Sequence, residues 1–330
     1  LSRGLGDVYK RQVFPDQEKD KRAYYSVMYS VPEELLEILE RDYDYETIDR
    51  ILASGDSDRP TAIRVNTEKI SVTAFSEKLR QNGITVERGS MNDTSLLISG
   101  YDYIRKVPGF FDGEFVAQDQ SSCLAVKAAG INEGDLVVDV CAAPGGKTMY
   151  AAMLTGSEGR VISRDLTDKK TELVEENIER LGLSNVTVQV HDAREFDEEL
   201  TGKADVVIAD LPCSGLGIMG RKNDIKYHVS MESVKELAQL QREILDTVCR
   251  YVKPGGTLVY STCTIDSIEN DENAVWFADT HDFSLCGIDD VVPEHGGERG
   301  FVTLHQGIDE CDGFFISKFR ADSNNQIGQE

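Results

Sequence analysis

The feature that most constrains this chain is an alternation of strands and helices that begins near residue 135. Residues 136–140 (LVVDV) form a continuous apolar run, the pattern of a strand buried on both faces of a parallel sheet. A glycine-containing loop and a helical stretch follow it. The rhythm then repeats, with a strand over 160–163, an amphipathic helix over 168–181, and strands over 186–190 and 206–209. A long helix is predicted over 231–252, stopped by Pro254-Gly255-Gly256. A strand over 257–261 and a helix near 270–278 come next, and residues 283–287 and 314–319 predict two last strands with no crossover helix between them. Such alternation specifies a doubly wound α/β sheet, with ligands bound outside the carboxyl ends of its strands.

The part before this sheet has a different pattern. A helix over 32–40 with proline at its start, a strand over 61–65, a helix over 71–79, and strands over 85–88 and 96–99 predict a small α+β module. A helix over 120–129 closes it, which divides the chain into a module at 29–130 and a catalytic sheet at 131–330. Residues 1–28 read as a leader or the remnant of a longer N-terminal domain. The opening LSRGLGDVYKRQ starts on leucine and lacks the apolar core of a signal peptide. No apolar run approaches the ~18 residues of a membrane helix, so no membrane partner is expected. The seven cysteines are scattered without a C-x-x-C pair, which fits a reducing cytoplasm and argues against structural zinc or any other metal.

Between the first strand and its helix lies Cys141-Ala142-Ala143-Pro144-Gly145-Gly146-Lys147-Thr148. Small residues let a ligand approach the backbone, and a helix N-terminus favours negative charge. The loop nearly matches the phosphate-binding G-x-x-x-x-G-K-[ST], and VVIAD at 206–210 could pass for the acidic strand of such an ATPase. Cys141 replaces the first glycine of that motif, however, and Pro144 removes an N–H that would cradle phosphate. Asp165 ends the second strand nineteen positions past Gly146, close to the ~20 at which a carboxylate meets a ribose diol. That carboxylate repels a triphosphate but suits S-adenosylmethionine, with its free ribose and cationic sulfonium. Asp192, after the third strand, is placed to reach an adenine amino group. Singly, Asp165 and Asp192 also fit a cap or turn, but Asp165, Asp192 and Asp210 at three successive strand ends favour a nucleoside cofactor.

Two further motifs lie on the same edge. Asp210-Leu-Pro-Cys213 follows the fourth strand and Ser261-Thr-Cys263-Thr follows the fifth, so neighbouring strands at ~4.8 Å spacing open both thiols onto one cleft. Cys123, Cys249, Cys286 and Cys311 read as packing, and Cys141 as a small residue at a crowded strand end. VVDVCAAPGGKT, DLPCSGLG with RKNDIKY after it, and LVYSTCT together resemble the motifs of the Sun (RsmB-type) RNA cytosine-C5 methyltransferases. Arg64-Val-Asn66, Phe115-Val-Ala-Gln-Asp119 and Asp312-Gly-Phe-Phe315 extend the resemblance over about residues 29–320. RKNDIKY and YSVPEELLE look most like the bacterial 16S ribosomal RNA enzyme.

The resemblance implies a Rossmann-like S-adenosylmethionine-dependent methyltransferase sheet of seven mostly parallel strands with an antiparallel end, preceded by a small RNA-binding module. It implies methyl transfer to carbon 5 of a cytosine in small-subunit ribosomal RNA, at its finest grain position 967 of the 16S molecule, with another ribosomal or transfer RNA as alternative. Cys263 is then the nucleophile that adds to carbon 6, Cys213 assists release, Asp210 donates a proton to N3, and Lys147 orients Asp210 or the ring. S-adenosylmethionine is held by residues 141–147 with Asp165, Asp192 and Asp210. A P-loop ATPase is the rival reading, and a non-catalytic RNA-binding relative predicts loss of a cysteine that is present here.

Two features depart from that family pattern. Only about 60 residues precede Arg64, so a helical NusB-like domain is expected to be missing or cut short. The net charge of −24 is unusual for a protein that binds RNA. The exception is residues 217–227 (GIMGRKNDIKY), with three basic side chains and one acid. Arg221, Lys222 and Lys226 are therefore the expected phosphate contacts, with Arg64 and Lys106 weaker ones. A monomer is expected.

Overall fold

The computed structural model describes residues 14–56, 59–293, 295 and 297–323, so the opening leader lies outside the described residues apart from its last stretch. Three helices come first: α1 (Lys21–Tyr29), α2 (Glu33–Asp42) and α3 (Tyr45–Ala53). A four-stranded antiparallel sheet follows, from β1 (Thr61–Val65), β2 (Thr85–Arg88), β3 (Ser95–Ser99) and β4 (Phe115–Ala117), in the order β2-β3-β1-β4. Helix α4 (Val72–Gln81), capped by the Ser71 hydroxyl, covers this sheet and closes a core around Phe75, Leu79, Leu96 and Phe115.

Apolar strand runs dictate the second sheet. Its order is β10-β12-β9-β8-β5-β6-β7, from β5 (Leu136–Asp139), β6 (Arg160–Asp165), β7 (Val186–Val190), β8 (Ala204–Asp210), β9 (Val252–Thr262), β10 (Phe283–Leu285) and β12 (Phe314–Ala321). Strands β7, β6, β5, β8 and β9 are parallel neighbours, and β12 runs antiparallel to both β9 and β10. The seven expected strands are joined by an eighth, β11 (Phe301–Leu304), which pairs with the first half of β12.

Helices cover both faces. On one side α8 (Met231–Val248) and α9 (Asp271–Thr280) pack Ile244, Leu245, Val248, Ala274 and Phe277 against the sheet. On the other side lie α5 (Gln120–Ala129) and α6 (Gly146–Thr155), with Cys123, Leu124, Ala151 and Ala152 in contact with Val137, Val206 and Val259. Helix α7 (Asp168–Leu181) connects β6 to β7. Because α5 packs on the large sheet, the packing boundary between module and sheet falls before Gln120, upstream of the expected residue 130.

The N-terminal helices have a specific place to sit. Leu35, Leu36, Leu39, Ile48 and Ile51 form one core with Leu216, Met219 and Ile265, which belong to the segments following Cys213 and Cys263. Arg41 pairs with Asp266 at 2.7 Å, and the Tyr43 hydroxyl donates to the Ile265 carbonyl at 2.6 Å. Helices α1–α3 therefore brace both cysteine segments from outside.

Candidate active site

Strand ends of the parallel sheet place the reactive groups. After β5 the chain turns back on itself, with the Ala142 N–H donating to the Arg164 carbonyl (2.9 Å) and the Gly145 N–H to the Ala142 carbonyl (2.7 Å). Gly145 has φ +101°, and a Cβ there would lie 3.1 Å from Val174 Cγ1 of α7. Glycine is required by conformation and by approach alike. Helix α6 begins at the next residue and carries Lys147 in its first turn. The buried Lys147 side chain spans to the end of β8, where Nζ donates to Asp210 Oδ2 at 2.7 Å. The Ser261 hydroxyl of β9 donates to the other oxygen, Asp210 Oδ1, at 2.8 Å.

The two cysteines meet beside this ion pair. Cys213 Sγ and Cys263 Sγ are 3.3 Å apart, and one residue further on the Ser214 and Thr264 hydroxyls are bonded at 2.7 Å. The thiols are not equivalent. A hydrogen bond from Cys213 lowers the Cys263 thiol below its ordinary value against the opposing effect of burial, and the charges of Lys147 and Lys222 act in the same direction. That same bond, with burial and the nearby Glu269 carboxylate, raises the Cys213 thiol well above its ordinary value. The lowered thiol of the pair is Cys263 and the raised one is Cys213.

A cavity of about 330 Å³ opens over these groups. It is lined by Cys141–Pro144, Gly146, Lys147, Asp210 and Cys263, and opposite them by Asp119, Asp312 and Phe314. At its edge Asp139 is fully buried, with Oδ2 accepting from the Thr148 hydroxyl (2.7 Å) and Oδ1 without a partner among the described residues. Burial pushes this carboxyl up to about 7. A buried acid beside backbone-rich small residues suits a nucleoside cofactor better than a triphosphate.

The other acids expected at the cofactor lie along the same edge, outside the cavity lining. Asp165 is buried, with its oxygens taken by the Ala143 N–H (2.9 Å), the Leu166 N–H (2.7 Å) and Lys170 Nζ (2.9 Å). It fixes the loop, while Leu166 beside it is an exposed apolar side chain that no sequence pattern singles out. Asp192 is held by Arg194 through Nε (3.1 Å) and Nη2 (2.6 Å), and these bonds lower its carboxyl.

Among the basic candidates, Arg64 requires a correction. It is 1% exposed, donates from Nε to Gln118 Oε1 (2.8 Å), and stacks 4.3 Å over the Tyr150 ring. Arg64 lies on a strand face covered by α6, so it cannot reach a phosphate. It supports Gln118, whose side chain lies against Gly146. Arg221 donates from Nε to both oxygens of buried Asp312 (2.8 and 2.7 Å), so much of its charge is already engaged. Lys226 Nζ leans on the Tyr29 carbonyl at 3.5 Å, and Lys106 lies 5.1 Å from the Tyr103 ring. Lys222 is exposed and faces Cys263 electrostatically. Asp312 and Asp119 entered the sequence reading only as part of a resemblance. Here Asp119 accepts from the Asp312 N–H (3.1 Å), tying the segment before α5 to the last strand.

A model of the 16S rRNA methyltransferase RsmB/F family matches residues 127–320, and a model of the ferredoxin-like domain of RsmF/B-like methyltransferases matches residues 31–102. The chain belongs to the RsmB/F family. Among its relatives, the probable ribosomal RNA small subunit methyltransferase B of Bacillus subtilis is 36% identical over 301 residues, covering 88% of this chain and 66% of that protein. The ribosomal RNA small subunit methyltransferase F of Escherichia coli is 32% identical over 285 residues, covering 83% of this chain and 60% of that protein. This RsmB/F chain thus spans less than two thirds of the length of these curated relatives. A methyltransferase homolog from Pyrococcus horikoshii superposes with a TM-score of 0.79 at 25% identity, over 93% of this chain and all of that one. The RsmB/F sheet is therefore the mostly parallel methyltransferase sheet that the motifs imply.

Proposed function

We propose that this RsmB/F chain methylates carbon 5 of a cytosine in RNA through a covalent cysteine adduct, using S-adenosylmethionine. The substrate is small-subunit ribosomal RNA, and position 967 of the 16S molecule is the target that the sequence resemblance implies. The observation that carries the reading is the thiol pair. Two cysteines from different strand ends lie 3.3 Å apart, next to a lysine–aspartate pair and a cavity walled by small residues.

S-adenosylmethionine, when bound, supplies an electrophilic methyl group on a sulfonium. Residues 141–147 would hold it, with the Asp139 carboxyl at the edge of that cavity and Asp165 fixing the loop from behind. Carbon 5 of cytosine is a poor nucleophile on its own. The Cys263 thiolate adds to carbon 6, and the displaced electron pair makes an enamine whose carbon 5 can attack. Charge developing at N3 is met by the proton carried between Lys147 and Asp210. After transfer, the proton on carbon 5 passes to water, its electron pair rebuilds the 5,6 double bond, the N3 proton returns to Asp210, and the Cys263 sulfur departs as thiolate. The Cys213 S–H donates to that sulfur, which assists its departure. The target base must be unstacked first, at about a few kcal/mol, least in single-stranded RNA. Lys222, helped by Arg221 and Lys226, is the phosphate contact nearest the cysteines.

The experiment is asymmetric. Cys263→Ala should abolish methylation and form no adduct, whereas Cys213→Ala should attack, transfer and then stall. A covalent protein–RNA species should then survive denaturing electrophoresis for Cys213→Ala alone. An adduct in Cys263→Ala and none in Cys213→Ala would reverse the two roles.

A further inference from the structure

Behind the cysteine pair lies a buried carboxylate that the chemistry above does not use. Glu269 follows Cys263 by six residues and is fully buried. Its Oε2 accepts from the Ser214 backbone N–H (3.0 Å) and from Gln241 Nε2 of α8 (2.9 Å). That same amide nitrogen also donates to the Pro212 carbonyl at 2.9 Å. The residues on either side of Cys213 are therefore gripped by one carboxylate–amide pair.

The grip is itself anchored. Gln241 Oε1 accepts from the Tyr260 hydroxyl (3.0 Å) and from Asn273 Nδ2 (2.9 Å), and Asn273 Oδ1 accepts from Arg242 Nε (2.7 Å). Glu269 Oε1 has no partner among the described residues. An unsatisfied buried carboxylate oxygen is costly, and a glutamine would serve as well if holding the loop were all that was needed.

We propose that Glu269 is a positioning residue for adduct release: through the Ser214 N–H and the Gln241 amide it fixes the Cys213 thiol against Cys263. This rests on the cytosine-C5 reading given above. The groups that face Glu269 are Asp266 on its own segment, Cys213 on the facing loop, Tyr260 on β9, and Arg242 of α8 through Asn273. Burial pushes Glu269 up to about 7, and its charge contributes to the raised thiol of Cys213.

The test uses the full chain, small-subunit RNA and labelled S-adenosylmethionine, and compares single-turnover transfer, steady-state turnover and adduct on a denaturing gel from pH 6 to 9. Glu269→Ala should slow single-turnover transfer by at most the roughly tenfold expected when Cys213 no longer bonds to Cys263. Its turnover should fall roughly ten- to a hundredfold, the range set by one hydrogen bond to an ionised group, and adduct should accumulate as in Cys213→Ala. Glu269→Gln keeps both bonds, since they end on one oxygen. It should restore much of the turnover and remove the adduct. Adduct in Cys213→Ala but none in Glu269→Ala, with transfer and turnover reduced alike, would overturn the positioning role and leave the chemistry standing. No cytosine methylation and no adduct in any variant would instead remove the reading beneath it. If Glu269→Ala fails to fold, Glu269→Asp, whose shorter side chain withdraws the carboxylate from the Ser214 N–H and Gln241, takes its place, and unchanged turnover with no adduct in it overturns the proposal.

Discussion

Replacing Cys213 with alanine should make Cys263 a poorer thiolate, by an amount that follows from their contact. At 3.3 Å the two thiols share a hydrogen bond, and the bond to Cys213 is the largest influence lowering the Cys263 thiol. A hydrogen bond to an ionised group contributes about 1.5–3 kcal/mol, and sulfur is a weak donor, so the lower end applies. At ~1.4 kcal/mol per factor of ten, the thiolate population at a fixed pH below the midpoint should drop roughly tenfold. Lys147 and Lys222 still face the sulfur in the variant, so reactivity should fall without vanishing. Limiting iodoacetamide at pH 7, followed by peptide mass spectrometry, measures each cysteine in one experiment. Cys123 and Cys249, pushed up by burial to about 11 and about 12, provide slow internal references. Cys263 should be the first thiol alkylated in the unaltered protein and should slow about tenfold in Cys213→Ala. Faster labelling of Cys213 than of Cys263, or a Cys263 rate unchanged by the substitution, would refute the assignment of the thiolate.

Three other outcomes follow from the same geometry. Asp139, raised by burial to about 7 from an ordinary 3.8, binds its proton more tightly folded than unfolded, so its contribution to stability is full below about pH 4 and is lost as pH rises to 7. Asp139→Asn should therefore stabilise the fold by on the order of 3 kcal/mol at pH 8, a gain that shrinks toward pH 4, and denaturant titrations showing no such trend would contradict it. Lys222→Ala should weaken RNA binding and leave cofactor affinity intact, whereas Arg221→Ala also frees Asp312 and should disturb both. Because the chain is so acidic, binding should pass through a salt optimum before falling, and a strictly monotonic decline would argue against that screening. S-adenosylmethionine and its demethylated product should raise the melting temperature by mass action while ATP does not, and a shift with ATP alone would refute the cofactor assignment.

How much of this was legible in the sequence depended on whether the signal was local. Long apolar runs such as 136–140 and 206–209 marked β5 and β8 because both faces of those strands are covered. Strands β4 and β11, three and four residues long, carried too little pattern to register. Pro254-Gly255-Gly256 read as a turn, yet β9 runs through it from Val252, and a register shift against β8 near Ala204–Val206 accommodates the irregularity. The helix before it accordingly ends at Val248, four residues earlier than its pattern predicts. Arg64 shows the limit of reading charge as surface. Nothing local says that α6 will cover that strand face, and Tyr150 and Gln118, which accommodate the cation, are over fifty residues away. Glu269 failed for the mirror reason, since IENDEN at 268–273 looks like a solvated acidic helix start. Its burial is created by Gln241 and Ser214 across the fold. The cysteines were legible because each directly follows an apolar strand, and sheet geometry does the rest.

The account stands most directly on where a methyl group goes. Small-subunit RNA incubated with the protein and labelled S-adenosylmethionine, then digested and mapped nucleotide by nucleotide, should carry the label on carbon 5 of one cytosine, and Cys263→Ala should abolish it. Label on another base, on the cytosine exocyclic nitrogen or on a ribose oxygen, or label undiminished in Cys263→Ala, would contradict the account.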